Sequence, residues 1–128
     1  MKKIVYVFGM CIGLAFLGCE SNAEEIKELE SRDLATLFAE IESLASSETC
    51  TDSSNWTFTG YGSKACGGVV GYIAYPKSID TNYFQELLRR YATAQRAYNE
   101  KWGIISDCSL PDVPLRVECQ NGEPALIY

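Results

Sequence analysis

Four cysteines, Cys50, Cys66, Cys108 and Cys119, are spread through the part of the chain that has to fold, and they constrain it more than any other feature. What they form depends on compartment, because thiols become stable bridges where the surroundings are oxidising. The amino terminus bears on that. Met1-Lys2-Lys3 is a positive start, and an uncharged apolar run follows from Ile4 to Leu17, the layout of a secretory signal. Glu20 closes the run short of the roughly 20 apolar residues that a spanning helix needs. An even number of cysteines in a short exported chain reads as two disulfides. No metal site is expected, because the chain has no histidine and its cysteine spacings of 16, 42 and 11 lack the paired knuckles of structural zinc.

Two cleavage readings are open. Phe16-Leu17-Gly18-Cys19 resembles a bacterial lipobox, although the usual box has Leu where Phe16 stands and a small residue where Leu17 stands. On that reading residues 1–18 are a lipoprotein signal peptide, Cys11 leaves with it, and Cys19 carries the lipid. Each buried methylene of a lipid chain contributes roughly 0.8 kcal/mol, so several chains on one cysteine would hold the protein at a membrane. Alternatively, Ser21-Asn22-Ala23 offers an ordinary signal peptidase a cut that leaves Glu24 first. The expected location is the cell envelope, as a lipoprotein of the outer membrane facing the periplasm or the surface. Acidic residues just after the lipidated cysteine resemble a surface-export signal of Bacteroidota.

Removal of residues 1–18 leaves 110 residues, enough for one small domain, with 9 basic against 17 acidic side chains and a net charge of −8. That surface repels phosphate backbones, so nucleic acid is not an expected partner. Acidic residues cluster between Glu20 and Glu30, five of the 17, and residues 19–30 read as a solvated tether ahead of a single domain over 31–128.

Ser31 can cap a helix whose apolar positions Leu34, Leu37, Phe38, Ile41, Leu44 and Ala45 follow three–four spacing. Trp56-Thr57-Phe58-Thr59 alternates as a strand, and Val69 to Tyr75 reads as a second strand closed by Pro76. Asp80 suits a helix N-cap, with Ile79 and Phe84 as a hydrophobic staple. The stripe Phe84, Leu87, Leu88, Tyr91, Gln95, Tyr98 and Trp102 follows, Glu86 is placed to pair with Arg90, and Gly103 supplies the stop. Residues 115–119 alternate as a strand, Asn121-Gly122 marks a tight turn, and Ala125 to Tyr128 forms a closing strand. The order α-β-β-α-β-β predicts an α+β domain, a small antiparallel sheet of about four strands with two helices on one face. It also chooses a pairing. The long helix returns the chain to the turn end of the first hairpin, delivering Cys108 to Cys66, and the strand that follows carries Cys119 back to Cys50.

Lys64-Ala65-Cys66-Gly67-Gly68, Tyr72-Ile73-Ala74-Tyr75, Tyr98-Asn99-Glu100, Ser106-Asp107-Cys108 and Cys119-Gln120-Asn121-Gly122 resemble a group of bacterial secreted proteins and lipoproteins of Bacteroidota type. The resemblance covers residues 50–128 and departs at Val69, where the group often has proline. It implies no activity.

Chemistry has few parts to work with. The commonest general base, histidine, is absent, no free thiol is expected, and no nucleophile elbow or phosphate-cradling glycine loop is present. Asp107 and Asp112 are the carboxylates to weigh for glycoside hydrolysis, and they read as solvated loop residues. The chain is therefore expected to be non-enzymatic and cofactor-free, binding a macromolecular partner, protein or glycan, or playing a structural role. The alternative is a carbohydrate- or small-ligand-binding module in which Tyr61, Tyr72 and Tyr75 share the sheet face away from the helices as a platform for a glycan. The loop Lys64–Gly68 reads as a disulfide-pinned turn; presentation of Lys64 as a protease bait is the sharper reading of the same residues.

Overall fold

The computed structural model describes residues 20–128, so the signal-like run, Cys11 and Cys19 fall outside the described residues. The chain runs through α1 (Glu20–Ala45), a single 3-10 turn (Ser53–Asn55), β1 (Trp56–Tyr61), β2 (Gly71–Pro76), α2 (Thr81–Trp102), β3 (Arg116–Gln120) and β4 (Glu123–Ile127). No described helix is long and apolar enough to cross a membrane.

Helix α2 has the limits its sequence dictates. The Asp80 carboxylate accepts the Tyr83 N–H at 3.0 Å, and Gly103 ends the helix in the left-handed region while its N–H donates to the Asn99 carbonyl. Phe84, Leu87, Leu88 and Tyr91 are buried, and Ile79 packs on the same cluster as the staple requires. Glu86 is taken by Arg89 instead of the expected Arg90, through two hydrogen bonds at i,i+3.

Helix α1 departs from expectation at its start. It runs unbroken through Ser31 from Glu20, so most of the stretch read as a tether is helical. Glu, Lys, Leu and Ala are good helix formers, carboxylates favour a first turn, and Glu28 bonds Arg32 one turn on. Its buried face is the expected one: Ile41 and Ala45 are in the core with Leu34, Leu37, Phe38 and Leu44 packed around them.

The four strands are all antiparallel but form two separate hairpins, not one sheet. Strand β2 begins at Gly71, leaving Val69 and Val70 in the loop. Hairpin β1–β2 is apolar on both faces. Tyr61, Ile73 and Tyr75 turn to the helices, while Trp56, Phe58 and Ala74 turn away and would be left in water if the other strands merely extended its edge. Hairpin β3–β4 covers that second face with Val117, Cys119 and Leu126. The result is three layers: helix pair, β1–β2, then β3–β4. Asn121 and Gly122, at φ 53° and 85°, make the two-residue turn between β3 and β4.

The disulfides are Cys50–Cys119 and Cys66–Cys108, with Cα separations of 5.2 and 5.5 Å. They close opposite ends of the stack, as the path of α2 requires. Cys50 is buried, whereas Cys66 and Cys108 are exposed.

Candidate functional site in the groove between the helices

Helices α1 and α2 run antiparallel, with Glu40 receiving the Tyr83 hydroxyl near one end and Glu30 receiving Lys101 and Trp102 near the other. Up to Tyr91, large side chains of α2 fill the space against α1. Beyond it α2 presents Ala94 and Ala97, and the missing volume opens a groove of about 570 Å³ over Leu34 and Leu37. Glu30, Asp33 and Glu40 line it from α1, and Arg90 and Lys101 from α2. One wall is thus acidic and the other basic, over an apolar floor.

The ends of the groove are held by specific contacts. The Lys101 ammonium, and then the Trp102 indole N–H at 2.7 Å, hold the Glu30 carboxyl below the usual carboxylate range. Donation to Glu40 holds the proton on Tyr83 and raises its pKa. Between them, Asp33 and Arg90 make no ion pair among the described residues. Such a groove can bind, by burial over Leu34 and Leu37 and by charge at its two walls. Of its ionisable groups, Glu30 and Lys101 are tied to each other, Glu40 is tied to Tyr83, and Asp33 and Arg90 are open to water. Among the described residues no group of three or more cysteines and carboxylates is placed to hold a metal ion.

The residues singled out in the sequence lie elsewhere. Tyr61 faces the helices with its ring 4.9 Å from that of Phe38, and Tyr75 is buried on the same face, 4.6 Å from Phe84. Tyr72 lies on the opposite face, edge-on to Phe58 at 6.0 Å. The three tyrosines do not share a platform, because residues 72 and 75 differ by an odd number and β-strand side chains alternate. Lys64 is not presented as a bait. Its side chain is 17% exposed, and its ammonium bonds the Asp107 carboxylate at 3.0 Å and the Ser109 carbonyl at 2.5 Å. Lys64, with help from Ser109, lowers the Asp107 pKa to about 2, so Asp107 cannot hold a proton to donate to a glycosidic oxygen at neutral pH.

Gln95, read only as part of the helix stripe, and Asn99, which lies off it, have roles that the sequence pattern did not signal. Gln95 accepts the N–H of buried Ser63 at 2.6 Å, and Asn99 donates to the Ser63 carbonyl at 2.9 Å. One turn of α2 thereby grips the start of the loop that carries Cys66. Gly62 is needed beside it: its φ is +78°, and a Cβ there would stand 2.7 Å from the Gln95 amide oxygen. For the groove itself, the readable signal was a pair of alanines three residues apart between Arg90 and Lys101. Comparison of the chain with protein families, with curated proteins and with solved structures found no match.

Proposed function

We propose that the chain is a lipid-anchored protein of the cell envelope whose stapled domain binds a protein partner in the α1–α2 groove and performs no catalysis. The carrying observation is the groove: an apolar floor of leucine and alanine between an acidic and a basic wall. An amphipathic helix with apolar residues on one face and charges of both signs beside it has the complementary chemistry. Support for the anchor is the position of Cys19 after the apolar run, and two disulfides suit an exported domain.

Each half has its own test. Mass spectrometry of the mature amino terminus should find Cys19 modified by diacylglycerol, whereas a free amine at Glu24 would show the ordinary cut and remove the anchor. A photo-crosslinker at Ala97 should trap one discrete partner in the envelope, and Leu34→Asp should abolish the adduct. A crosslinking pattern unchanged by Leu34→Asp would mean that the groove is not the binding surface.

A further inference from the structure

The large apolar side chains that this fold leaves in water are gathered at one end. Four lie on the segment between α2 and β3: Ile105 is 92% exposed, Leu110 73%, Leu115 72% and Val113 63%. Ile26 and Leu29 are exposed on the first turns of α1, and Tyr128 follows Ile127, whose carbonyl accepts the Leu115 N–H. Among the described residues, Tyr83 at the start of α2 is the one exposed large apolar side chain at the other end.

Contacts fix this grouping. Lys101 and Trp102, the last residues of α2, both reach Glu30, and the Lys27 ammonium lies 5.9 Å from the Trp102 ring centroid. The first turns of α1 therefore project past the end of α2, beside the point where the chain enters Ile105. Leu110 lies against Gly68 in the β1–β2 loop, where an added Cβ would meet its Cδ2 at 2.8 Å. Single exposed leucines are ordinary, but a one-ended set marks a surface that meets something apolar.

We infer that this end of the domain rests on a lipid surface, with Ile105, Leu110, Val113 and Leu115 entering the boundary between headgroups and acyl chains. The occupant follows from where the described chain ends. Cys19 immediately precedes the first residue of α1. At 1.5 Å per residue, Glu20 lies only about 10 Å along the helix axis from Lys27, so an anchor at Cys19 and a modest tilt bring the loop to the surface. This choice of occupant rests on the lipid-anchor reading. Acidic Glu24, Glu25, Glu28 and Asp112 lie at this end with Lys27 and Lys101, so anionic lipid is not what the face selects; the contact is apolar, and salt does not weaken it.

The test measures sedimentation with phosphatidylethanolamine–phosphatidylglycerol vesicles for the mature chain, for residues 19–128 produced without the signal run and with Cys19→Ser, and for that Cys19→Ser chain carrying either Tyr83→Ser or the four serine substitutions Ile105→Ser, Leu110→Ser, Val113→Ser and Leu115→Ser. A mature chain that binds no better than Cys19→Ser would sink the anchor reading alone, and the other pairs still judge the loop. Cys19→Ser should retain a weak partition that does not fall as salt is raised. The four loop substitutions should lower it at least tenfold, and Tyr83→Ser should leave it intact. In the same Cys19→Ser protein, vesicles should protect the amides of 104–115 from hydrogen exchange, a readout free of the folding of any loop variant. Absent partition, equal partition of the loop variant and its parent, or a dimer abolished by the loop substitutions would overturn the inference; the last would assign the face to a second copy.

Discussion

Lys64 and Asp107 meet at 3.0 Å beside the Cys66–Cys108 bridge and tie the β1–β2 loop to the segment leaving α2 a second time, without a covalent bond. A carboxylate whose pKa falls on folding stabilises the fold above its unfolded value and loses that contribution as pH drops through the folded one. For Asp107 the window runs from 3.8 down to about 2. The melting temperature should fall across that window, and Asp107→Asn should make the fall shallower. Carbon-detected NMR titration should place the Asp107 midpoint near the lower limit; a midpoint at the ordinary value would remove the contact with Lys64.

The two bridges should differ in access. Cys66 and Cys108 are exposed and Cys50 is buried, so mild thiol reductant followed by alkylation should label the first pair before the second. Replacing Cys66 and Cys108 together by alanine should cost about 4 kcal/mol in the chain-entropy account of a loop this long. Denaturant unfolding measures it.

Gln95→Leu should cost about 1–3 kcal/mol, because it leaves the buried Ser63 N–H without its acceptor. Asn99→Leu deprives a carbonyl, which can still be approached by water more readily than an N–H can be abandoned, and should cost less. Equal effects in urea unfolding would count against this division of labour.

Asp80→Ala removes the N-cap of α2 and should destabilise by about 1 kcal/mol, whereas Asp80→Asn or Asp80→Ser should recover most of it. Thermal unfolding of the three variants gives the ranking.

Local rules made the ends and the buried face of α2 readable. Asp80, Gly103 and the 3.6-residue stripe fix its ends and face without reference to anything distant, and Asn121-Gly122 fixes its turn in the same way. The disulfide pairing could be reached from the path of one long helix. The first turns of α1 could not. Glu24, Glu25 and Glu28 suit a solvated tether as well as a helix, and what commits Glu30 is contact with Lys101 and Trp102 more than 70 residues later. Alternation along Trp56–Tyr61 shows that side chains point both ways, but it does not say whether the partner strands lie beside the hairpin or on top of it. The groove was hidden for a related reason: its volume is a mismatch between Ala94 and Ala97 on one helix and Leu34 and Leu37 on another. The tyrosine platform failed on a rule the sequence did carry: alternation along the second strand puts Tyr72 and Tyr75 on opposite faces.

Both covalent loops begin at Cys50 or later, so α1 is the one long element that neither encloses. A pull on the amino-terminal end is therefore carried by noncovalent contacts alone, chiefly Glu30 with Lys101 and Trp102 and then the packing of Leu34 to Ala45. Under load the helix peels away from its amino terminus, and the groove it shares with α2 is pulled apart at its Glu30 end first. The crosslinked remainder from Cys50 to Cys119 keeps its connections throughout. Tension on the amino-terminal end would thus open the groove between the helices before it unravelled the strands.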